Sequence, residues 1–256
     1  MIHPQAIVDP SARLADDVKV GPFSVIGADV EIGAGSVIAS HVVIDGPTRI
    51  GRDNKIYSFA SVGGDPQDKK YAGEATRLEI GDGNVIREYC TISRGTTQDA
   101  SLTRIGDDNW IMAYVHIAHD CNVGSHTILA NSATLAGHVT LEDNVILGGF
   151  TLVHQFCKIG EHSFTAMNSV ISKDVPPYLM VSGHMAKPHG LNTEGLKRRG
   201  FDRETLAALR RAYKAIYRSG LTLEQASEKL AEMAQDSTEI GQMLAFIGAS
   251  GRGIIR

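Results

Sequence analysis

An aliphatic residue returns at every sixth position over most of this 256-residue chain, and no other feature restricts its fold so tightly. The first run is Val8, Leu14, Val20, Ile26, Ile32, Ile38, Ile44, Ile50, Ile56 and Val62. The period resumes at Ile80, Ile86 and Ile92, and again from Ile105 to Ile159, with Thr165 as a lapse before Ile171. Two positions before each aliphatic sits a small or β-branched residue, as in Ser24, Val30, Ser36, Val42 and Thr48. A period of six is neither the 3.6 of a helix nor the 2 of an alternating strand. It is the signature of a hexapeptide solenoid of very short strands and turns. Three hexads close one triangular coil of 18 residues, so each aliphatic stacks on the one 18 positions later, with coils ~4.8 Å apart. The repeat predicts roughly eight or nine coils and a prism about 40 Å long.

The solenoid is expected over residues 1–189, with external loops near 63–77 and 95–102 where the period is interrupted by polar, glycine-rich sequence. Pro176-Pro177 is expected to end the strand pattern, because proline cannot donate to a ladder. Residues 190–256 read as helical. Asp202 caps a helix over 203–218 whose Leu206, Leu209, Tyr213, Ile216 and Tyr217 share one side, and Gly220 stops it. Thr222 and Gln225 form a capping box for a second helix, and a third covers 238–248.

Composition removes several function classes. The formal net charge of −4 gives no reason to expect a nucleic-acid partner. Met1-Ile2-His3-Pro4 does not open a secretory signal, and no apolar run approaches the ~18 residues of a membrane span. A cytoplasmic protein is expected. Three cysteines, an odd number, argue against a disulfide framework. Cys90, Cys121 and Cys157 all fall in the small-residue slot of a hexad, where packing is their expected role.

The coil length also places chemistry. His119, Gly137 and Gln155 lie 18 apart and should stack along one corner, with Asp120 over His138 in the same way. His116 and His154 lie close by in the chain. An imidazole, with an ordinary pKa near ~6.5, can take a proton from a hydroxyl at neutral pH. An adjacent carboxylate can hold its tautomer, and a glycine N–H can approach a developing oxyanion. No serine or cysteine stands in an activating setting, so direct acyl transfer is the expected reaction. The same histidines could instead bind zinc, and polar corner residues can be plain solvated turns in a structural solenoid. Residue types and spacing leave these alternatives open.

Longer strings narrow them. His116-Ile117-Ala118-His119-Asp120-Cys121, Leu135-Ala136-Gly137-His138-Val139, Val153-His154-Gln155-Phe156-Cys157, Gln67-Asp68-Lys69-Lys70-Tyr71-Ala72-Gly73-Glu74 and Asn192-Thr193-Glu194-Gly195-Leu196-Lys197-Arg198-Arg199-Gly200-Phe201 closely resemble the UDP-N-acetylglucosamine O-acyltransferases, which open lipid A biosynthesis. The resemblance runs to the terminal Arg252-Gly253-Ile254-Ile255-Arg256. It implies a left-handed parallel β-helix with a C-terminal α-helical domain, assembled as a homotrimer with active sites between subunits. It implies transfer of an R-3-hydroxyacyl group from acyl carrier protein to the glucosamine 3-hydroxyl of UDP-N-acetylglucosamine, without a metal or other cofactor. His119 would be the general base, Asp120 its partner and the Gly137 amide the oxyanion donor. His116, His138, His154 and Gln155 would line the nucleotide-sugar and acyl site, and Gln67, Asp68 and Lys70 the acyl-hydroxyl and sugar region. Asn192, Glu194, Arg198 and Arg199 would hold uridine and diphosphate, although Lys197-Arg198-Arg199 taken alone reads rather as a solvated basic face. Arg210, Arg211, Lys214 and Arg218 could dock the acidic carrier protein or be ordinary helix surface.

The chain departs from the family pattern at Lys69, commonly leucine, and at Ser93, commonly histidine. Met167 stands where long-chain members resemble one another in having glycine, and Met185 where some have histidine. A methionine at the end of the acyl groove implies a chain of about ten carbons rather than fourteen. The related N-acyltransferase of the same pathway usually carries an added N-terminal domain, whereas here the repeats start near residue 6.

Overall fold

The structure is a computed structural model that describes every residue, Met1–Arg256. Strands β1 (Ile7–Val8) to β25 (Val170–Ile171) are two to four residues long and form three parallel sheets, the faces of a triangular prism. The first face contains β1-β4-β7-β10-β13-β16-β19-β22-β25, and the second runs from β2 (Arg13–Leu14) to β23 (Lys158–Ile159). The third begins at β3 (Lys19–Val20). Register is 18 residues, as in Ile7↔Val25 and Val123↔Leu141.

Each hexad builds one side of a coil. Its aliphatic points inward, and Ile26, Ile44, Ile117 and Leu135 are fully buried. Burying such a side chain is worth roughly 1.5–3 kcal/mol. The corner that follows is turned by a residue at positive φ, such as His41, Asp120, His138 or Phe156. There the corner N–H reaches the neighbouring coil, as from His41 to Pro22 O at 3.1 Å and from His138 to His119 O at 3.0 Å. Even the lapse at Thr165 is satisfied, its buried hydroxyl lying 2.8 Å from Thr151 Oγ1.

The two interruptions are insertions on one edge. Ile50 pairs with Ile80 and Ile80 with Ile105, so these coils exceed 18 residues by twelve and seven. The extra residues leave after β10 (Ser61–Gly64) and β13 (Thr91–Ser93), between the first and second faces.

Pro176-Pro177 does not end the strands, contrary to expectation. Val175 bridges Ile159, and β26 (Leu179–Gly183) extends the third face in parallel with β24 (Phe164–Thr165). Strand β27 (Ala186–Leu191) then folds back antiparallel. The prolines occupy a corner, where no ladder bond is asked of them. Gly160 leaves room, since a Cβ there would sit 2.4 Å from Pro177 N.

After Leu191 the chain is helical. Helix α1 (Thr193–Arg198) was not anticipated; six residues with one buried side chain, Leu196, make no readable stripe. Helix α2 (Arg203–Tyr217) starts at Asp202, which accepts the Thr205 N–H at 2.7 Å. Helix α3 (Leu223–Met233) has the expected Thr222–Gln225 capping box, and α4 (Thr238–Gly248) follows. Leu206, Leu209, Ile216, Leu230 and Met243 are buried between them, and Ile254 bridges Asp174 of the last coil. No helix is long and apolar enough to cross a membrane.

The faces differ in what they turn outward. The second presents Arg13, Glu31, Arg49, Glu79, Arg104 and Lys158, with ion pairs Arg13–Glu31 and Arg104–Glu79. The third presents Val37, Val85, Trp110, Ile128, Ile146 and Phe164, and the first Ile7, Val43 and Leu152. Along the edge between third and first faces, Phe23, His41, Phe59, Tyr89 and Tyr114 stack at 4.9–5.1 Å between ring centroids.

Candidate active site

The edge between first and second faces carries both insertions and, on the coils just beyond them, His119, Asp120, Gly137, His138, His154 and Gln155. Asp120 follows β16 (His116–Ile117) with φ 58°, and its side chain is 1% exposed. A buried carboxylate needs donors, and three are present. Thr96 supplies its N–H at 2.8 Å and its hydroxyl at 2.6 Å, and His119 Nδ1 lies at 2.8 Å. With Asp120 taking the Nδ1–H, the His119 lone pair is on Nε2. Thr103 Oγ1 accepts the Asp120 N–H at 2.8 Å.

Gly137 is where the His119 ring lies. A Cβ on it would fall 2.6 Å from His119 Cε1 and 2.7 Å from Nε2, so only glycine admits this approach. The Gly137 N–H makes no hydrogen bond within the chain. His138, edge-on to His119 at 5.2 Å, is backed by Phe156 stacked at 4.4 Å. Its Nδ1 lies 3.1 Å from Asp99 Oδ2 and its Nε2 3.7 Å from Asp120 Oδ2.

Around this centre, His116 Nδ1 is 2.7 Å from Thr91 Oγ1; burial and then the His119 charge push its pKa down. His154 and Gln155 are exposed, with His154 Nδ1 3.1 Å from the Gln155 carbonyl. In the first loop, Asp68 accepts the Lys70 N–H at 3.0 Å and Gln98 Nε2 at 3.2 Å. The Lys70 N–H is the main reason its pKa is lowered, with His119 contributing. Gln67 and Lys70 are exposed, Lys70 Nζ lying 3.4 Å from Gln98 Oε1. Of the residues that depart from the family pattern, Lys69 is exposed and Ser93 buried.

The remaining predicted site residues lie elsewhere in the chain. Met167, 77% exposed, is on the edge between third and first faces, and Met185 is exposed in the β26–β27 hairpin. Helix α1 lies by the edge between second and third faces. Asn192 caps it, accepting the Gly195 N–H at 3.2 Å and donating to His162 O at 2.9 Å. Glu194 pairs with Lys197 at 2.8 Å, Arg199 bonds Asn144, and Arg198 is exposed without an ionic partner.

Sequence reasoning did not find Thr96, Asp99 or Thr103, because the 18-residue stacking rule cannot be carried across an insertion of seven. The available signal was that this insertion interrupts the edge one coil before His119. The three cysteines are free and buried. Desolvation pushes Cys90 and Cys157 up to about 11 and Cys121 to about 12, so none is a ready nucleophile. Donor atoms of His119, Asp120 and His138 lie within 4.8 Å of one another and could hold a divalent cation. Asp120 Oδ2, however, already accepts from Thr96 Oγ1 and His119 Nδ1.

Comparison with known proteins gives these residues a family context. Residues 11–46 and 102–137 match the bacterial transferase hexapeptide family (six repeats), and 174–255 match UDP N-acetylglucosamine O-acyltransferase, domain 2. The acyl-[acyl-carrier-protein]–UDP-N-acetylglucosamine O-acyltransferase of Thiobacillus denitrificans is 62% identical, over 100% of this chain and 99% of its own. The chain belongs to that family. It is an acyltransferase. A second member of the family, from Janthinobacterium sp., is 60% identical over 100% and 99%. The solved UDP-N-acetylglucosamine acyltransferase of Francisella novicida superposes with a TM-score of 0.99 at 46% identity, covering 100% of this chain and 94% of that one. LpxA from Acinetobacter baumannii superposes at 0.97 with 50% identity, covering 100% and 99%.

Proposed function

We propose that this acyltransferase moves an R-3-hydroxyacyl group from acyl carrier protein to the 3-hydroxyl of the glucosamine of UDP-N-acetylglucosamine, the first step of lipid A biosynthesis, with His119 as general base. The observation that carries this reading is the His119 ring, tied to Asp120 through Nδ1 and packed against the Cα of Gly137, whose N–H makes no hydrogen bond within the chain. Direct acyl transfer requires a base for the attacking hydroxyl and, close by, a donor for the carbonyl oxygen it attacks.

In the step, His119 Nε2 removes the hydroxyl proton as the sugar oxygen bonds to the thioester carbonyl carbon. The carbonyl oxygen becomes an oxyanion that accepts from Gly137 N–H. Collapse breaks the C–S bond, and the departing thiolate of the carrier's prosthetic group takes the proton back from His119. Asp120 holds the imidazolium in between. His116, His138, His154 and Gln155 bound the space around the reacting atoms, and Gln67, Asp68 and Lys70 reach in from the first loop. No cofactor is required, and the three free thiols suit a cytoplasmic enzyme.

The site is completed by a second copy of the chain. In a triangular prism the edge between first and second faces is opposite the third face. The His119 edge therefore cannot share a pocket with Met167, Met185 or α1 of the same chain, all of which lie on the third face or its borders. Outward charges concentrate on the second face, while the third is mostly apolar beyond Lys19 and Lys55 and the first mixes Ile7, Val43 and Leu152 with Ser61, Thr91, His116 and Thr134. Packing the first face of one copy against the third face of the next buries both. Such a heterologous contact repeats until the ring closes, which supports a homotrimer. Each cleft then has the His119 edge of one copy and, from its neighbour, α1 at the rim and Met167 at the inner end. Asn192, Glu194, Arg198 and Arg199 hold the uridine and diphosphate there; the fork of an unpaired arginine suits phosphate. Met167 closes the acyl groove and sets a preference near ten carbons.

The test is transfer to UDP-N-acetylglucosamine from R-3-hydroxyacyl carrier proteins of ten, twelve and fourteen carbons. Wild type should favour the shortest, Met167→Gly should move the preference to longer chains, and His119→Ala should lose about 10²–10⁴ in turnover while remaining a trimer. Transfer that survives in His119→Ala sinks the base assignment. An unchanged chain preference in Met167→Gly sinks the ruler.

A further inference from the structure

We infer that the second insertion, residues 94–101, is a positioning loop that aims His119 and His138, with Thr96 as its key residue; the inference rests on the function proposed above. Four side chains of this short segment each meet a different part of the site. Thr96 gives N–H and hydroxyl to the two oxygens of Asp120, at 2.8 and 2.6 Å. Asp99 lies 3.1 Å from His138 Nδ1. Gln98 spans Asp68 and Lys70 of the first loop at 3.2 and 3.4 Å. Arg94, buried, donates to Gly63 O at 2.5 Å and to Tyr71 Oη at 3.2 Å, and pairs with Asp65.

The physical consequence follows from the Asp120 carboxylate. With a buried side chain and a free rotor about its Cα–Cβ and Cβ–Cγ bonds, it could present either oxygen, or neither, to His119. Thr96 occupies both oxygens, which fixes the carboxylate plane and leaves the remaining direction of Oδ2 for the Nδ1–H. The Asp99 carboxylate does the same for the His138 ring, pinned on its other side by Phe156. Arg94 and Gln98 tie this segment to the loop bearing Asp68, so the substrate-side loop and the dyad share one support. The repeat itself needs none of these bonds, since the coil beyond, which lacks an insertion, closes with a short corner.

Thr96→Val removes the hydroxyl and keeps the N–H and the shape; Thr96→Ser keeps both donors. Expected for Thr96→Val is a fall in kcat of about 10- to 100-fold, the worth of a hydrogen bond to a charged group. KM for the nucleotide sugar should be little changed, the acid limb of the pH–rate profile should move to lower pH, and melting temperature should hold. Thr96→Ser should return close to wild type, and Asp99→Asn should lower kcat with KM little changed. Histidine hydrogen–deuterium exchange at His119, resolved from His116 by fragmentation, should report the same altered titration in Thr96→Val without any substrate. A wild-type kcat and an unmoved His119 exchange profile in Thr96→Val overturn the inference, as does a loss of stability unaccompanied by either change. A wild type that transfers nothing, with His119 exchange still altered by Thr96→Val, would instead remove the proposed reaction and leave the positioning role standing.

Discussion

A single methyl group tests the close approach at Gly137. Alanine there would place Cβ 2.6 Å from His119 Cε1, so the ring must swing away from the position proposed for its reaction. Gly137→Ala should lower transfer by at least about 10², the usual worth of a well-placed general base, with a melting temperature near wild type. A fully active Gly137→Ala would mean that Nε2 is not used where it lies. His162 gives a second test, of stability. Stacked on Tyr178 with Nδ1 buried and unpartnered, it has its pKa lowered to about 4, first by burial and then by the Arg199 charge. An unfolded histidine titrates near ~6.5. Between those values the unfolded chain binds the proton and the folded chain does not, so stability is lost as pH falls through the window and none is lost above it. The urea midpoint of wild type should therefore fall further than that of His162→Gln between about pH 7 and about pH 4.5. Equal falls would contradict the assignment.

Hexads and helices differ in how fully local sequence describes them. A hexad states its own inward residue, outward residue and corner, so the inward position of each strand was readable from Val8 to Ile171, with Thr165 the one lapse. Helices α2, α3 and α4 announce themselves through caps. Asp202→Ala should lower stability by removing the helix cap, seen as a lower urea midpoint with transfer unaffected. What was not readable has a physical cause in each case. Helix α1 is too short for periodicity. Strands β26 and β27 follow a coil shortened to sixteen residues, which defeats an 18-residue count, and two prolines that sit harmlessly in a corner. The insertion residues Thr96 and Asp99 obey no repeat, and only their folded position brings them to Asp120 and His138.

For the assembled molecule, the proposed cleft between copies makes a prediction no single-chain site would make. His119→Ala and Arg198→Ala should each be nearly inactive alone. Co-expressed in equal amounts, they should recover about a quarter of wild-type activity, because in a closed ring some clefts then take His119 from one copy and Arg198 from the next. No recovery in mixed trimers, verified by differently tagged chains, would place both residues on one chain's site. Trp110→Glu, on the apolar third face, should shift the sedimentation coefficient to that of a smaller species and abolish transfer. A trimer that tolerates the charge would reassign that face to solvent.

The six-residue period alone determined the solenoid, the inward and outward sets, and the stacking of His119 over Gly137 and Asp120 beside His138. It could do so because in such a repeat separation along the chain converts directly into position in space. Tertiary structure alone decided which way the insertions fold and that Thr96 rather than solvent satisfies Asp120. It also separated the His119 edge from Met167 and α1, since those placements depend on which corner of the prism a segment leaves from, and sequence separation carries no such angle.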